Sequence, residues 1–233
     1  MGGGHAVKSV LGAILSGCAL IFASFALLAE AGAVLGAGHS HETRMTALSQ
    51  ERPRIGLSTD STWRVLDLCR NTLAHPDFGA APEERRARVL AHCQAQVAHA
   101  ARRAPTDGYV PLMQAVLDRQ NGAVIEMLAN VDRSRALAPQ ELWLASLRNA
   151  MIEPFESFLT AEEFLGQNAD FAVMAQSRSG VRVLASRYLA QPAFRERITS
   201  IVETLSPDEQ RRFLRDIRFL ERQRRDAAAG RFQ

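Results

Sequence analysis

The sequence predicts an all-α protein: an N-terminal transmembrane helix followed by a domain of antiparallel helical hairpins. Three observations carry that expectation. A long uncharged stretch stands near the start of the chain. Alanine is abundant (37 residues) while aromatic residues make up only 6%, a balance that favours helices over a β-sandwich. From Ser58 onward, proline, glycine and capping signals punctuate apolar stripes of helical period, and no window sustains period-two alternation of β-branched residues. At 47% hydrophobic and 23% charged, the 233 residues have globular rather than disordered composition.

Residues Val10 to Ala29 (VLGAILSGCALIFASFALLA) contain no charge. As a helix they would extend roughly 30 Å, the thickness of a bilayer's hydrocarbon core. Two other readings compete. Ala29-Glu30-Ala31 has a loosely A-x-A-like form, as at a signal-peptide cleavage site, but the apolar run exceeds the usual hydrophobic region of about 7–15 residues. A buried helix of a soluble protein is the third. An uncleaved anchor fits the length best, and residues 1–38 are assigned to it. Lys8 precedes the span and Glu30 and Glu42 follow it, which places the N-terminus in the cytoplasm and the bulk of the chain in the periplasm of a bacterial inner membrane. Gly32 and Gly36 form a GxxxG, and Gly12/Ser16 and Ala13/Gly17 are small-residue pairs at the same spacing. They suit self-association through the span, although such matches arise readily by chance in an Ala/Gly-rich helix.

Residues 39–57 lack a sustained apolar period and contain Pro53 and Gly56, so they read as a flexible linker. The helical extracytoplasmic domain then occupies 58–233. Asp60 can cap a helix over 61–74 with Trp63, Leu66, Cys69 and Leu73 on one stripe, closed by Pro76. Pro82, at an N1 position, opens Glu83–Arg103, which aligns Val89, Leu90, Cys93, Val97 and Ala100. Helices over 109–119 and 123–136 meet at Asn121-Gly122, and Pro139 opens another that ends at Pro154. Thr160-x-x-Glu163 and Ser206-Pro207-Asp208-Glu209 are capping boxes, the second ahead of a long final helix.

Pro105 and Pro139 stand 34 residues apart with Gly122 between two helices and Ser134 ahead of the second proline. That pattern resembles a degenerate tetratricopeptide-like unit, whose period and punctuation it shares over about a third of the chain. Pro111 stands where a large aromatic belongs and Met127 where a small residue belongs, and the period is lost beyond Pro139. The chain at large resembles small membrane-anchored bacterial envelope proteins that accompany exopolysaccharide or O-antigen machinery. The similar elements are the anchor, the cysteine-bearing helix pair, P-T-D-G-Y (Pro105–Tyr109), A-P-x-E-x-W (Ala138–Trp143) and F-R-E-R (Phe194–Arg197). The resemblance implies an accessory, non-catalytic role and brings no catalytic residue with it.

Cys69 and Cys93 lie on the apolar stripes of successive helices. They would either close a disulfide or serve as two small buried hydrophobes, and an oxidising compartment favours the bond. Cys18, within the span, has no partner by this reckoning. His39-Ser40-His41-Glu42 is an H-x-H beside a carboxylate, but a linker does not fix the four ligands of a structural metal site, so no metal is expected. His92 and His99 share a helix face and read as surface or partly buried histidines. Phosphate-cradling, dinucleotide-binding and nucleophile-elbow motifs are absent, so no cofactor and no catalytic residue are assigned.

Charge is unevenly placed. The net charge is +3, with one lysine (Lys8) beside 27 arginines. Residues 120–177 carry three arginines against eight acids (−5), and 178–233 carry 13 arginines against seven (+6). Arg211, Arg215, Arg218 and Arg222 recur along one stripe of the final helix, with Phe213, Leu214, Ile217 and Leu220 on the docking face. The stripe reads as a solvated face partly paired with Asp208, Asp216, Glu221 and Asp226, or as a site for acidic protein, anionic lipid or acidic polysaccharide. Nucleic acid is not expected for an exported domain. The expected function is therefore an adaptor binding an envelope or membrane protein through Arg211, Arg215, Arg218 and Arg222 and through a repeat groove at Tyr109, Met113 and Trp143. The groove residues read equally well as core. The rival reading is an envelope enzyme acting on glycan or lipid through Glu153, Glu156, Glu162 or Glu163. A third is a structural protein that self-associates through its span.

Overall fold

The computed structural model describes residues 3–35, 40–228 and 230. Among them every regular element is helical, and the chain divides into two compact units, Met1–Pro105 and Thr106–Gln233.

Unit 1 contains α1 (Gly3–Leu35), α2 (His41–Ser49), α3 (Thr59–Leu73), α4 (Pro76–Ala80) and α5 (Glu83–Arg103). α1 is long and apolar enough to cross a membrane, its best window being Ser16–Ala33 with mean hydropathy 1.6. Leu20, Phe22, Phe25 and Leu28 all stand exposed along it. Its distal end is tied down. The Glu30 carboxylate accepts from Leu57 N (2.6 Å), Ser58 N (2.7 Å) and Ser58 Oγ (2.7 Å), where α3 begins. Gly56 makes that approach feasible, because a Cβ there would sit 2.9 Å from the Ala29 carbonyl and 3.0 Å from the Glu30 carboxylate. Ser58, not Asp60, caps α3 by accepting from Ser61 N, while Asp60 pairs with Arg64.

The expected linker differs from the structure. Ser40 and Thr43 form a capping box that starts α2, which buries Met45 and Leu48 and packs against α5. Two buried side chains spaced three apart are too short a signal to register as an apolar period. Arg85 of α5 bonds Glu42 Oε1 and Thr46 Oγ1, both at 2.7 Å, and holds the Glu42 carboxyl below its ordinary range. The rest of the 39–57 segment is also fastened. His92 Nε2 lies 3.0 Å from the Pro53 carbonyl, Ile55 N donates to Gln96 Oε1 at 3.1 Å, and Arg103 donates to the carbonyls of Gly56 and Leu57. At the centre of the unit Cys69 and Cys93 form a disulfide joining α3 to α5, with Cα atoms 5.8 Å apart. Cys18 is a free, exposed thiol. Gly36 and His39 lie outside the described residues, so the GxxxG and H-x-H readings do too.

Unit 2 runs through α6 (Tyr109–Gln120), α7 (Val124–Leu137), α8 (Leu142–Ile152), a 3-10 turn (Glu153–Phe158), α9 (Ala161–Gln176), α10 (Gly180–Ala190), a second 3-10 turn (Pro192–Phe194), α11 (Arg195–Glu203) and α12 (Pro207–Ala228). α6 and α7 pack closely across a turn in which Gly122 adopts φ +73°, a conformation that a side chain would strain. Both predicted capping boxes form, at Thr160/Glu163 and Ser206/Glu209. Pro154 converts the end of α8 into a 3-10 turn rather than ending helical structure outright.

An apolar cluster of Ala145, Phe171, Met174, Val181, Leu184, Phe194, Ile198 and Phe213 joins α8 to α12. Beside it lies a buried ionic centre. Asp170 receives Arg148 (Nη2–Oδ1 2.5 Å, Nε–Oδ2 3.1 Å) and Arg135 (Nε–Oδ2 3.0 Å). The Arg148 and Asp170 side chains are 0% and 1% exposed, and Arg148 Nη1 also reaches Ser134 Oγ and the Ala138 carbonyl, both at 3.3 Å.

Candidate functional site

Unit 2 carries a groove of about 960 Å³ between α9 and α11. On α9 the spacing i, i+4, i+8 brings Phe164, Asn168 and Ala172 to one face, with Ala169 beside them. α11 supplies Arg197, Ser200 and Ile201, its C-cap Thr204 follows on the same side, and Ala193 and Phe194 also line the groove. The surface inside is mostly apolar.

Two arginines are laid into the aromatic walls. Arg187 stands 3.6 Å above the Phe194 ring, and Arg197 stands 3.8 Å above that of Phe164. Both guanidinium groups are neutralised locally. Arg187 pairs with Glu153 at 2.9 Å and bonds Gln191 Oε1 at 2.8 Å. Arg197 pairs with Glu156 at 3.1 Å and donates to Asn168 Oδ1 (2.7 Å) and Gln167 Oε1 (2.6 Å). Burial lowers the Arg197 pKa, opposed by the nearby Glu156. The groove is therefore a mostly apolar slot whose two arginines are paired, with Glu196 lining it as an exposed carboxylate without an ion pair among the described residues.

Of the carboxylates considered for an enzyme, Glu153 and Glu156 both contact Arg187, at 2.9 and 3.8 Å. Glu163 is spent on the N-terminus of α9, where it accepts from Thr160 N and Thr160 Oγ1. The hydroxyls of Ser200 and Thr204 bond back to the Glu196 and Ile201 carbonyls. No histidine or cysteine lines the groove among the described residues. None of these groups is arranged as a nucleophile beside a base.

The residues expected to line a repeat groove fare differently. Tyr109 and Met113 are 0% exposed and belong to the core, so they present nothing to a partner. Trp143 is 37% exposed and meets the Tyr109 ring edge-on at 4.8 Å. On α12, Arg211, Arg215, Arg218 and Arg222 all face outward. Arg211 pairs with Asp208; Arg215, Arg218 and Arg222 have no hydrogen-bond or ionic partner among the described residues. Phe213 is buried, with Ile217 and Leu220 partly so, as a docking face requires, but Leu214 is 50% exposed. A register set by Phe213, Ile217 and Leu220 turns Leu214 to the edge of the helix.

His41, half of the expected H-x-H, stacks on His75 with ring centroids 3.9 Å apart. Among the described residues no group of three or more His, Cys, Asp or Glu could hold a metal.

Sequence reasoning missed the Arg135–Asp170–Arg148 centre and the Arg187 and Arg197 walls. A usable signal existed for the first: Arg148 falls on the same stripe of α8 as the buried Leu144 and Ile152, and a charge on an apolar stripe demands a buried counter-charge. The groove had no such signal, since Arg197 and Glu156 are 41 residues apart.

No protein-family model, no curated protein and no solved structure matches the chain.

Proposed function

We propose that this protein is a non-catalytic, membrane-anchored adaptor of the bacterial envelope. Its body faces the periplasm and binds an apolar segment of another envelope protein in the groove between α9 and α11. The single observation that carries the reading is the groove's combination of a mostly apolar surface with two wall arginines already paired to Glu153 and Glu156. Such a surface gains by burying apolar area and offers no group poised for bond making. An apolar α1 and a disulfide suited to an oxidising compartment support the location. The resemblance to accessory proteins of polysaccharide polymerisation and ligation supplies the setting, assembly or export of an envelope polysaccharide. The tetratricopeptide-like pair α6–α7 is then a packing platform for the groove-bearing helices rather than the binding element.

Photo-crosslinking in intact cells tests this directly. A photoreactive residue at Ala193 or Ser200, both exposed at the groove, is expected to capture one discrete envelope protein. The adduct should vanish when Ala172→Glu places a charge on the floor. Absence of any adduct at both positions, from protein shown to be folded and membrane-associated, overturns the proposal.

A further inference from the structure

We infer that the outward face of α12 docks on the anionic headgroup surface of a phospholipid bilayer. Arg211, Arg215, Arg218, Arg222 and Arg225 share this face, and their band covers about 21 Å of helix. Three of them, Arg215, Arg218 and Arg222, have no counter-charge among the described residues, whereas two arginines off this face are engaged: Arg212 donates to the Gln176 carbonyl and Arg224 to that of Ser186. The carboxylates of the helix sit around the band. Asp208 pairs with Arg211 at its start, Asp226 lies at its end, Glu221 is half-buried at one margin, and half-buried Asp216 lies about 140° from Arg211, towards the docked side.

Two apolar side chains decide which anionic partner fits. Leu214 and Phe219 are 50% and 42% exposed, and by helical rotation they flank the arginine band on opposite sides, about 60° and 80° from Arg211. An acidic polysaccharide or a solvated acidic protein surface would leave both apolar side chains in water. A bilayer interface satisfies the whole face at once: guanidinium groups take phosphate oxygens as bidentate partners, their stems lie along the boundary, and Leu214 and Phe219 enter the acyl margin. The same chain carries α1, so in the anchored reading a bilayer is always within reach and the docking is intramolecular. The inference rests on that reading only for this local concentration.

The test uses the full chain in Cys18→Ala background, with Phe219→Cys carrying an environment-sensitive fluorophore and the native disulfide intact. In proteoliposomes containing phosphatidylglycerol the probe is expected to shift to the blue, and the shift should be absent in pure phosphatidylcholine and weaken with added salt. Arg215→Gln/Arg218→Gln/Arg222→Gln should weaken the docking equilibrium about 100-fold. Arg215→Glu/Arg218→Glu/Arg222→Glu should abolish it, with an unchanged circular dichroism melt confirming that each variant is folded. Equal emission in the two lipids, or a shift that survives both substitutions, overturns the inference. A shift produced by a soluble acidic polymer in phosphatidylcholine overturns the choice of lipid in favour of that polymer. Should the chain fail to float with phosphatidylcholine vesicles, the anchor is refuted instead, and charge-dependent flotation with phosphatidylglycerol vesicles then reads the docking alone.

Discussion

Unit 1 closes its helices with a covalent bond and lowers the pKa of two histidines by burial; unit 2 has no cysteine and centres on Asp170 held between Arg135 and Arg148. The difference is one of sensitivity. A disulfide acts mainly by restricting the unfolded chain and is erased by reductant. A buried ion pair gives little net stability, yet losing one member strands an unsolvated charge. The two halves should therefore fail under different insults. Each contains one tryptophan, Trp63 in unit 1 and Trp143 in unit 2, which lets their unfolding be followed separately.

The largest expected effect is in unit 2. Asp170→Asn leaves Arg148, 0% exposed, without its counter-charge and should cost about 3–5 kcal/mol. The Trp143 transition should move to lower denaturant while Trp63 holds its position. Equal losses in both signals would mean that the halves do not unfold as distinct bodies.

Next comes the disulfide. Cys69→Ala with Cys93→Ala, or reduction, releases a closed loop of about 25 residues worth about 3.5 kcal/mol on the entropic account. Only the Trp63 transition should respond. Native protein whose Cys69 and Cys93 react readily with a thiol reagent would contradict the bond.

Acid should separate the halves in sign. Burial lowers the pKa of His41, aided by His75 and Arg44 and opposed by Asp77 and Glu42; burial also lowers that of His92, with the Pro53 carbonyl and Glu51 opposing and Arg54 assisting. Folded unit 1 thus binds fewer protons than its unfolded chain. Its stability is full above the unfolded histidine pKa of about 6.5 and declines as pH falls below it. In unit 2 burial raises the Asp132 pKa against the pull of Arg135, so its contribution is present at low pH and lost as pH rises through the folded pKa. Between pH 7.5 and 5, the Trp63 midpoint should fall and the Trp143 midpoint hold or rise. His92→Gln should flatten the Trp63 profile, and an unchanged slope would remove His92 from the account.

Two smaller effects follow. Glu30→Ala deprives Leu57 N and Ser58 N of their acceptor and should move the Trp63 transition to slightly lower denaturant. Because those bonds require Glu30, the membrane-extracted protein should retain its Lys8-containing N-terminal peptide in mass spectra; a mature chain beginning after Ala31 would refute retention. Arg218→Gln, on an open helix face, should change stability by no more than about 0.5 kcal/mol.

Much of this architecture was legible where the signal is local. Thr160 and Glu163 announce a helix start within four residues, Gly122 announces a turn, and Cys69 and Cys93 sit on the apolar stripes of successive helices, where a disulfide is one of two readings. Legibility ends where placement depends on distant chain. Met45 and Leu48 are too few to mark α2, and only the α5 surface makes them core. Tyr109 and Met113 carry no sign in their spacing of which side of α6 is covered. Leu214 reads as apolar and hence inward, but the register belongs to Phe213, Ile217 and Leu220. The groove is assembled from α9, α10 and α11 with both adjoining 3-10 turns, so no single segment encodes it.

The Glu30 contacts give the apolar helix a mechanical meaning. A tether of loose chain would let the body wander and spin above its attachment point. Here the carboxylate grips the first turn of α3 while Gly56 lets the backbones nearly touch, so any roll or tilt of α1 is handed on to α3 as torque. In the anchored reading proposed above, the helix would behave less like a leash than like an axle, fixing the heading of unit 1 as well as its distance from the lipid.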